Sequence, residues 1–312
     1  MNSPLHYMGN KSKLIDDLKF YFPEDNECDT FIDLFGGSGC VSINVNYKNI
    51  IYNEINNNVV KLLSIFKDYD SKEIIEHIQK RIKEFELPYE SCDVRVKHYT
   101  EEKKDKGQNA YNMFREFYNK SDKNILDLYT LTFFSFCNLI RFNSKDEFNM
   151  PFGNRCFLKE NEQDIINACY IFKNKNIYLN NKDAFEILNS IQTYSPKVYI
   201  YLDPPYSNTM AIYNESRAYG GWSLEDDEKL FNELDRITKL GVKWSLSNVL
   251  ENKDKTNDHI EQGALKNNYK IIELDRNYAA LGKGVANSRE ILILNYQPKF
   301  EQTNIFDFME EE

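Results

Sequence analysis

Two hydrophobic periods take turns along the chain. Runs of strand length rich in apolar residues recur at 30–34, 50–54, 176–179, 198–202, 242–246, 269–274 and 290–294, and the run at 198–202 is apolar at every position. Between them the spacing changes to that of a helix, as in Leu14, Ile15, Leu18 and Phe22, in Val41, Ile43 and Val45, and over 184–191 and 223–240. Strands that are apolar throughout suit a sheet covered on both faces, and strand–helix alternation predicts an α/β protein with a largely parallel sheet. The helix at 223–240 carries its own start signal, Ser223 with Asp226 three residues on.

The alternation is interrupted once. From Lys61 to about Arg95 the pattern is helical and polar, 99–108 reads as a charged exposed loop, and helical spacing returns at 111–118 and 125–136. The sequence FCNLIRFN (136–143), a polar loop at 144–148 and NMPFGNR (149–155) follow. This stretch predicts an inserted helical module, giving a division into 1–60 with 161–300, the insert 61–160, and a tail, 301–312. Arg141, Asn143 and Arg155 are of the types that read base edges, Arg toward guanine and Asn toward adenine. A surface loop whose arginines pair with local acids would look the same.

Chemistry concentrates where strands end. The run at 198–202 stops at Asp203-Pro204-Pro205-Tyr206, since two prolines cannot donate to a sheet ladder. The carboxylate of Asp203 and the carbonyl of Pro204 are acceptors, an exocyclic amine offers two donors, and Tyr206 offers a face to stack on. Two acceptors on one amine draw its lone pair out of conjugation and make it a better nucleophile. The strand at 30–34 leads from Asp33 into Phe35, Gly36, Gly37, Ser38 and Gly39 and then a helix. Such a turn lets a ligand approach the backbone. It is neither G-x-G-x-x-G nor a P-loop. The strand at 50–54 ends in Glu54, an acid placed to take both hydroxyls of a ribose. Together these suit a nucleoside-type cofactor without a pyrophosphate, and S-adenosylmethionine fits that description. Near the N-terminus, Tyr7 to Lys13 (YMGNKSK) allows a tight turn, with Lys11 and Lys13 able to hold a carboxylate or phosphate.

Net charge changes the picture little. The chain carries −10 overall, which argues against polyanions, yet 95–159 holds twelve Lys and Arg against eight Asp and Glu. A mildly basic middle in an acidic body is compatible with a local nucleic-acid site. The six cysteines show no C-x-x-C pair and no metal-ligand spacing, so reduced thiols and no metal are expected. No apolar run is long enough to span a membrane and the N-terminus lacks a signal-peptide core, which together predict a cytoplasmic protein.

In this order, YMGNKSK, FIDLFGGSG, NEI, NLIRFN…MPFGNR, DPPY and LSNVL resemble the Dam-type (D12 class) adenine-N6 DNA methyltransferases of the alpha subgroup, including those of T-even bacteriophages. The resemblance covers nearly the whole chain. It implies a Rossmann-like S-adenosylmethionine-dependent methyltransferase sheet with an inserted helical target-recognition domain, acting on double-stranded DNA, at GATC or a related short site, by base flipping. Under it Tyr7 and Lys11 lie near the cofactor's carboxylate end. Asp33, Phe35, Gly36, Gly37 and Ser38 form the cofactor turn, Glu54 takes the ribose, and Asp183 stands beside the adenine. Asp203, Pro204, Pro205 and Tyr206 are catalytic, and Asp203 also contacts the cofactor. Asn138, Leu139, Arg141, Asn143, Pro151 and Arg155 contact DNA. Cys137 and Leu139 depart from the usual Ser and Met, and the loop after DPPY looks longer. Cytosine-N4 methylation stays open, since DPPY serves either amine, as does a catalytically silent DNA-binding protein. A nicotinamide-dependent oxidoreductase fails for want of the pyrophosphate loop. The tail resembles clamp-binding peptides through Gln302, Ile305 and Phe306, which would serve a sliding clamp. A cognate restriction nuclease is a further partner the family allows.

Overall fold

A computed structural model describes residues 3, 5, 11–90, 101–205, 221–252, 255–274 and 288–299. In chain order they form α1 (Ile15–Tyr21), β1 (Thr30–Asp33), α2 (Cys40–Asn44), β2 (Asn49–Asn53), α3 (Asn57–Asp68), α4 (Ser71–Phe85) and β3 (Tyr89–Glu90). Next come α5 (Glu101–Lys120), α6 (Ile125–Phe134), a short 3-10 turn (Phe136–Asn138), β4 (Phe157–Leu158), α7 (Lys159–Asn174), β5 (Ile177–Asn180) and α8 (Ala184–Ser190). The chain closes with β6 (Val198–Leu202), α9 (Leu224–Lys239), β7 (Lys243–Asn252), β8 (Lys255–Thr256), α10 (Asp258–Lys266), β9 (Lys270–Leu274) and β10 (Ser288–Leu294). This is a mixed α/β protein. It divides into two compact units, one of Met1–Ser12, Phe35–Asn44 and Asn49–Ala184, the other of Lys13–Leu34, Val45–Lys48 and Phe185–Glu312.

The second unit is a sheet with helices. β6 lies between β1 and β7, parallel to both, and β10 runs antiparallel to β7 and β9. Side chains alternate across β6, so its two faces can be assigned. Tyr199 and Tyr201 face an aromatic cluster with Phe22, while Phe31 and Tyr47 pack on Tyr199. Ile200 stands opposite Trp244, whose indole N–H donates to Thr238 of α9 at 2.9 Å, so α9 covers that face. α9 buries Leu230, Phe231, Leu234 and Ile237 and starts at the expected cap: Ser223 accepts the Asp226 N–H, and the Asp226 carboxylate accepts the Ser223 N–H. Leu202 pairs with Leu246, so Asp203, the first residue after β6, arrives beside Ser247 within β7.

In the first unit β2 and β5 pair in parallel, with Asn53 opposite Asn180 at their C-terminal ends. Helices α3, α4, α6 and α7 bury Leu62, Phe66, Ile78, Leu131 and Phe172. The polar helical stretch after Lys61 is two helices, broken at Tyr69–Asp70, where Asp70 and Glu73 form a capping box for α4. The charged stretch expected to be a loop corrects to helix from Glu101 onward. Glu and Lys are good helix formers, so a charged run suits a helix as well as a loop. Gly107 sits within α5 where a side chain would press on Phe152 and Pro88, which explains a glycine inside a helix.

Candidate functional site

In the first unit the glycine turn is built around Tyr52. A Cβ on Gly36 would run into the Tyr52 ring, and the Tyr52 hydroxyl donates to the Gly37 carbonyl at 2.7 Å. The Gly36 N–H donates to Asn53 O at 2.7 Å, and Gly37 and Gly39 take positive φ. Ser38 Oγ accepts the Cys40 N–H at the start of α2, while Ser3 Oγ donates to the Ser38 carbonyl at 2.5 Å. Glu54 closes this turn. One of its oxygens accepts the Gly37 N–H at 3.1 Å and the other the Asn56 N–H at 2.8 Å. Burial pushes the Glu54 carboxyl above the usual range, opposed by the N–H groups of Asn56, Gly37 and Ile55. Each carboxylate oxygen can accept a second donor, so the fixed pair suits a vicinal diol.

Two asparagines that the sequence reading passed over hold the neighbouring loop. The buried Asn53 amide donates to Lys182 O and accepts the Lys182 N–H, both at 3.1 Å. Asn181 Nδ2 donates to the carbonyls of Glu54 and Ile55 at 2.8 Å. Asp183 follows directly and is exposed. The only sequence signal for this pair was amide residues placed where two strands end. Lys11 is buried in the same unit, and Tyr7 lies outside the described residues.

In the second unit Asp33 is buried at the end of β1, Phe35 and its turn belonging to the first. Pro204 is buried, and Asp203 and Pro205 are half-buried; Tyr206 lies outside the described residues. The Asp203 carboxylate is anchored from β7. Ser247 Oγ lies 3.0 Å from Asp203 Oδ1, 2.8 Å from the Tyr201 hydroxyl and 3.4 Å from Leu202 O. Ser247 lies in the LSNVL motif, but neither it nor Tyr201 was given a role from the sequence.

The segment after α6 is also in the first unit. Cys137 and Asn138 both take positive φ, and the buried Asn138 amide donates to Thr132 O at 2.9 Å. Leu139 is half-buried. Arg141 donates through Nε to Asn149 Oδ1 at 2.8 Å and through its fork to Asn149 O at 3.2 Å. Asn143 donates to the Glu147 carboxylate at 2.8 Å and accepts the N–H groups of Lys145 and Glu147, closing a turn between the bridged Phe142 and Phe148. Met150 O, next to the exposed Pro151, accepts from Tyr111 and Arg115 at 2.9 and 2.6 Å. Arg155 is exposed.

A family model described as D12 class N6 adenine-specific DNA methyltransferase matches residues 7–280. The modification methylase StsI of Streptococcus sanguinis is 32% identical over 304 residues, 96% of this chain and 43% of its own length. The type II methyltransferase M.FokI of Planomicrobium okeanokoites is 34% identical over 301 residues, 95% of this chain and 43% of its own. The DNA adenine methylase of Escherichia coli K12 is 27% identical over 249 residues, covering 78% of this chain and 79% of that protein. The chain therefore spans under half the length of the first two.

Proposed function

The chain belongs to the family of D12 class N6 adenine-specific DNA methyltransferases, and from that membership we propose that it methylates N6 of adenine in duplex DNA, with S-adenosylmethionine as methyl donor. The observation that carries this reading is the Asp203-Pro204-Pro205 turn at the end of β6, with its carboxylate held in place by Ser247. Asp203 and the Pro204 carbonyl accept the two amine hydrogens, and Tyr206 stacks on the ring. Turning the base out of the duplex costs a few kcal/mol, offset by that stacking and those hydrogen bonds. The residues present suit the donor. Glu54 offers paired acceptors to a ribose, the glycine turn offers close backbone approach, and the turn lacks the lysine with which a P-loop holds phosphates. When bound, the donor supplies an electrophilic methyl on sulfur; this chain holds and orients the amine.

In this reading Glu54, Asp183, Lys11 and Tyr7 belong to the donor site and 61–160 reads the DNA. Pro151 and Arg155 are exposed already, whereas Arg141 and Asn143 reach bases by exchanging Asn149 and Glu147 for them. Asn138 and Leu139 act through the loop that they shape. GATC or a related short site follows from the resemblance of NLIRFN…MPFGNR to phage-type enzymes. A cognate restriction nuclease follows from the modification-methylase relatives, and a sliding-clamp contact from Gln302, Ile305 and Phe306, which lie outside the described residues.

The test is sequencing of DNA from cells expressing the protein, with modified-base detection, beside an Asp203→Ala variant. The expected result is N6-methyladenine at one short motif, lost in the variant while DNA binding persists. N4-methylcytosine would overturn the base assignment, and normal methylation by Asp203→Ala would overturn the role of Asp203.

A further inference from the structure

We infer that Ser247, with Tyr201 behind it, is a positioning residue that sets the Asp203 carboxylate for methyl transfer, an inference that rests on the reading just given. Two parallel strands tie twice across the same face. Tyr199 meets Ser245 at 2.6 Å, and two residues on Tyr201 meets Ser247 at 2.8 Å. All four residues are buried. The first tie joins the strands, and Tyr199 also bonds Tyr296. The second continues past the strand end, because the β6–β7 register sets Asp203 beside Ser247.

Counting hydrogens fixes the direction. A serine hydroxyl has one proton to give and can accept twice, while an ionised carboxylate only accepts. Of the three oxygens within reach, the Tyr201 hydroxyl at 2.8 Å carries a proton of its own, whereas Asp203 Oδ1 at 3.0 Å and Leu202 O at 3.4 Å only accept, and a charged acceptor makes the stronger bond. Ser247 therefore donates to Asp203, which leaves Tyr201 as the donor to Ser247. The relay runs Tyr201 to Ser247 to Asp203 and needs no proton to move. Its effect is to hold one carboxylate oxygen, and with it the plane of the group that receives the target amine. Misplacing such a group by a fraction of an ångström acts on transfer more than on binding.

Single-turnover methyl transfer, with separately measured dissociation constants for S-adenosylmethionine and duplex DNA, tests the relay. Ser247→Ala, nearly isosteric, is expected to slow transfer about tenfold to a hundredfold with both dissociation constants unchanged. Tyr201→Phe is expected to slow it less, and the double variant no more than Ser247→Ala alone, since the tyrosine acts through the serine. Ser245→Ala removes the matching strand tie and is expected to transfer at the parent rate. Equal slowing by Ser245→Ala and Ser247→Ala, or additive losses in the double variant, would reduce the relay to sheet stability and overturn it. A parent chain that depends on Asp203 while Ser247→Ala runs at full rate overturns the relay alone. Equal transfer by the parent and Asp203→Ala overturns both the relay and the reading beneath it.

Discussion

Single side chains in the glycine turn have little room to change. Tyr52 is fully buried under Gly36 and bonded to Gly37, so its ring cannot swing away from an added methyl. Gly36→Ala should cost about 1–3 kcal/mol by overpacking and weaken donor binding, as thermal unfolding and calorimetry would register. Glu54 gives a pH signature with two signs. Its carboxyl titrates above the usual glutamate range because burial opposes its charge. Acidification through that raised value should therefore favour the unliganded fold, the stabilisation disappearing again as pH rises through it. Binding should move oppositely, because a protonated carboxyl loses an acceptor for the ribose. Calorimetry of S-adenosylmethionine binding across pH checks this, and Glu54→Gln should bind weakly with no such dependence. The residue types at 36, 54 and 203 could be read from the chain. What could not be read was which partner each would find.

Among the elements, α4 and α6 are locked by one buried acid. Asp127 accepts from His77 at 2.6 Å and from Arg81 at 2.7 and 3.0 Å. Burial alone would raise its carboxyl, but His77 and Arg81 outweigh that and hold it below the ordinary aspartate range. A depressed value contributes stability above the unfolded-state pKa, about 3.9, and that stability is lost as pH falls through the folded value. Asp127→Ala should cost about 3 kcal/mol, since it strands a partly buried arginine, and its melting temperature should lose the acid-side fall of the parent. Helix α5 was half missed because a run of Glu and Lys satisfies both a solvated loop and a solvated helix face; contact of Gly107 with Phe152 and Pro88 belongs to the helical outcome. The α9 cap was legible because Ser223 and Asp226 bond to each other's backbone, three residues apart.

For the whole molecule, the mixed α/β sheet is consistent with the S-adenosylmethionine-dependent methyltransferase fold. Among the described residues, no helix is long and apolar enough to cross a membrane. Under the proposed function, a chain of net charge −10 meets DNA through a local basic surface, so affinity should fall with salt. Arg155 is exposed and central to that proposal. Arg155→Ala should cost about 1–3 kcal/mol on the cognate site and less on unrelated DNA, as binding titrations at fixed salt would show. Equal losses on both DNAs would make Arg155 a phosphate contact instead.

By itself the sequence determined what depends on near neighbours: strands by their short apolar-rich runs, a strand end by two prolines, a cap by a three-residue spacing, and a family by motifs in order. The tertiary structure decided what depends on register. Ser247 stands 44 residues from Asp203 and meets it because two strands pair with one offset and not another. Asn53 reaches Lys182 across 129 residues for the same reason. Side chains change face with each one-residue slip, so such meetings are set by pairing between distant segments, which periodicity within one segment does not encode.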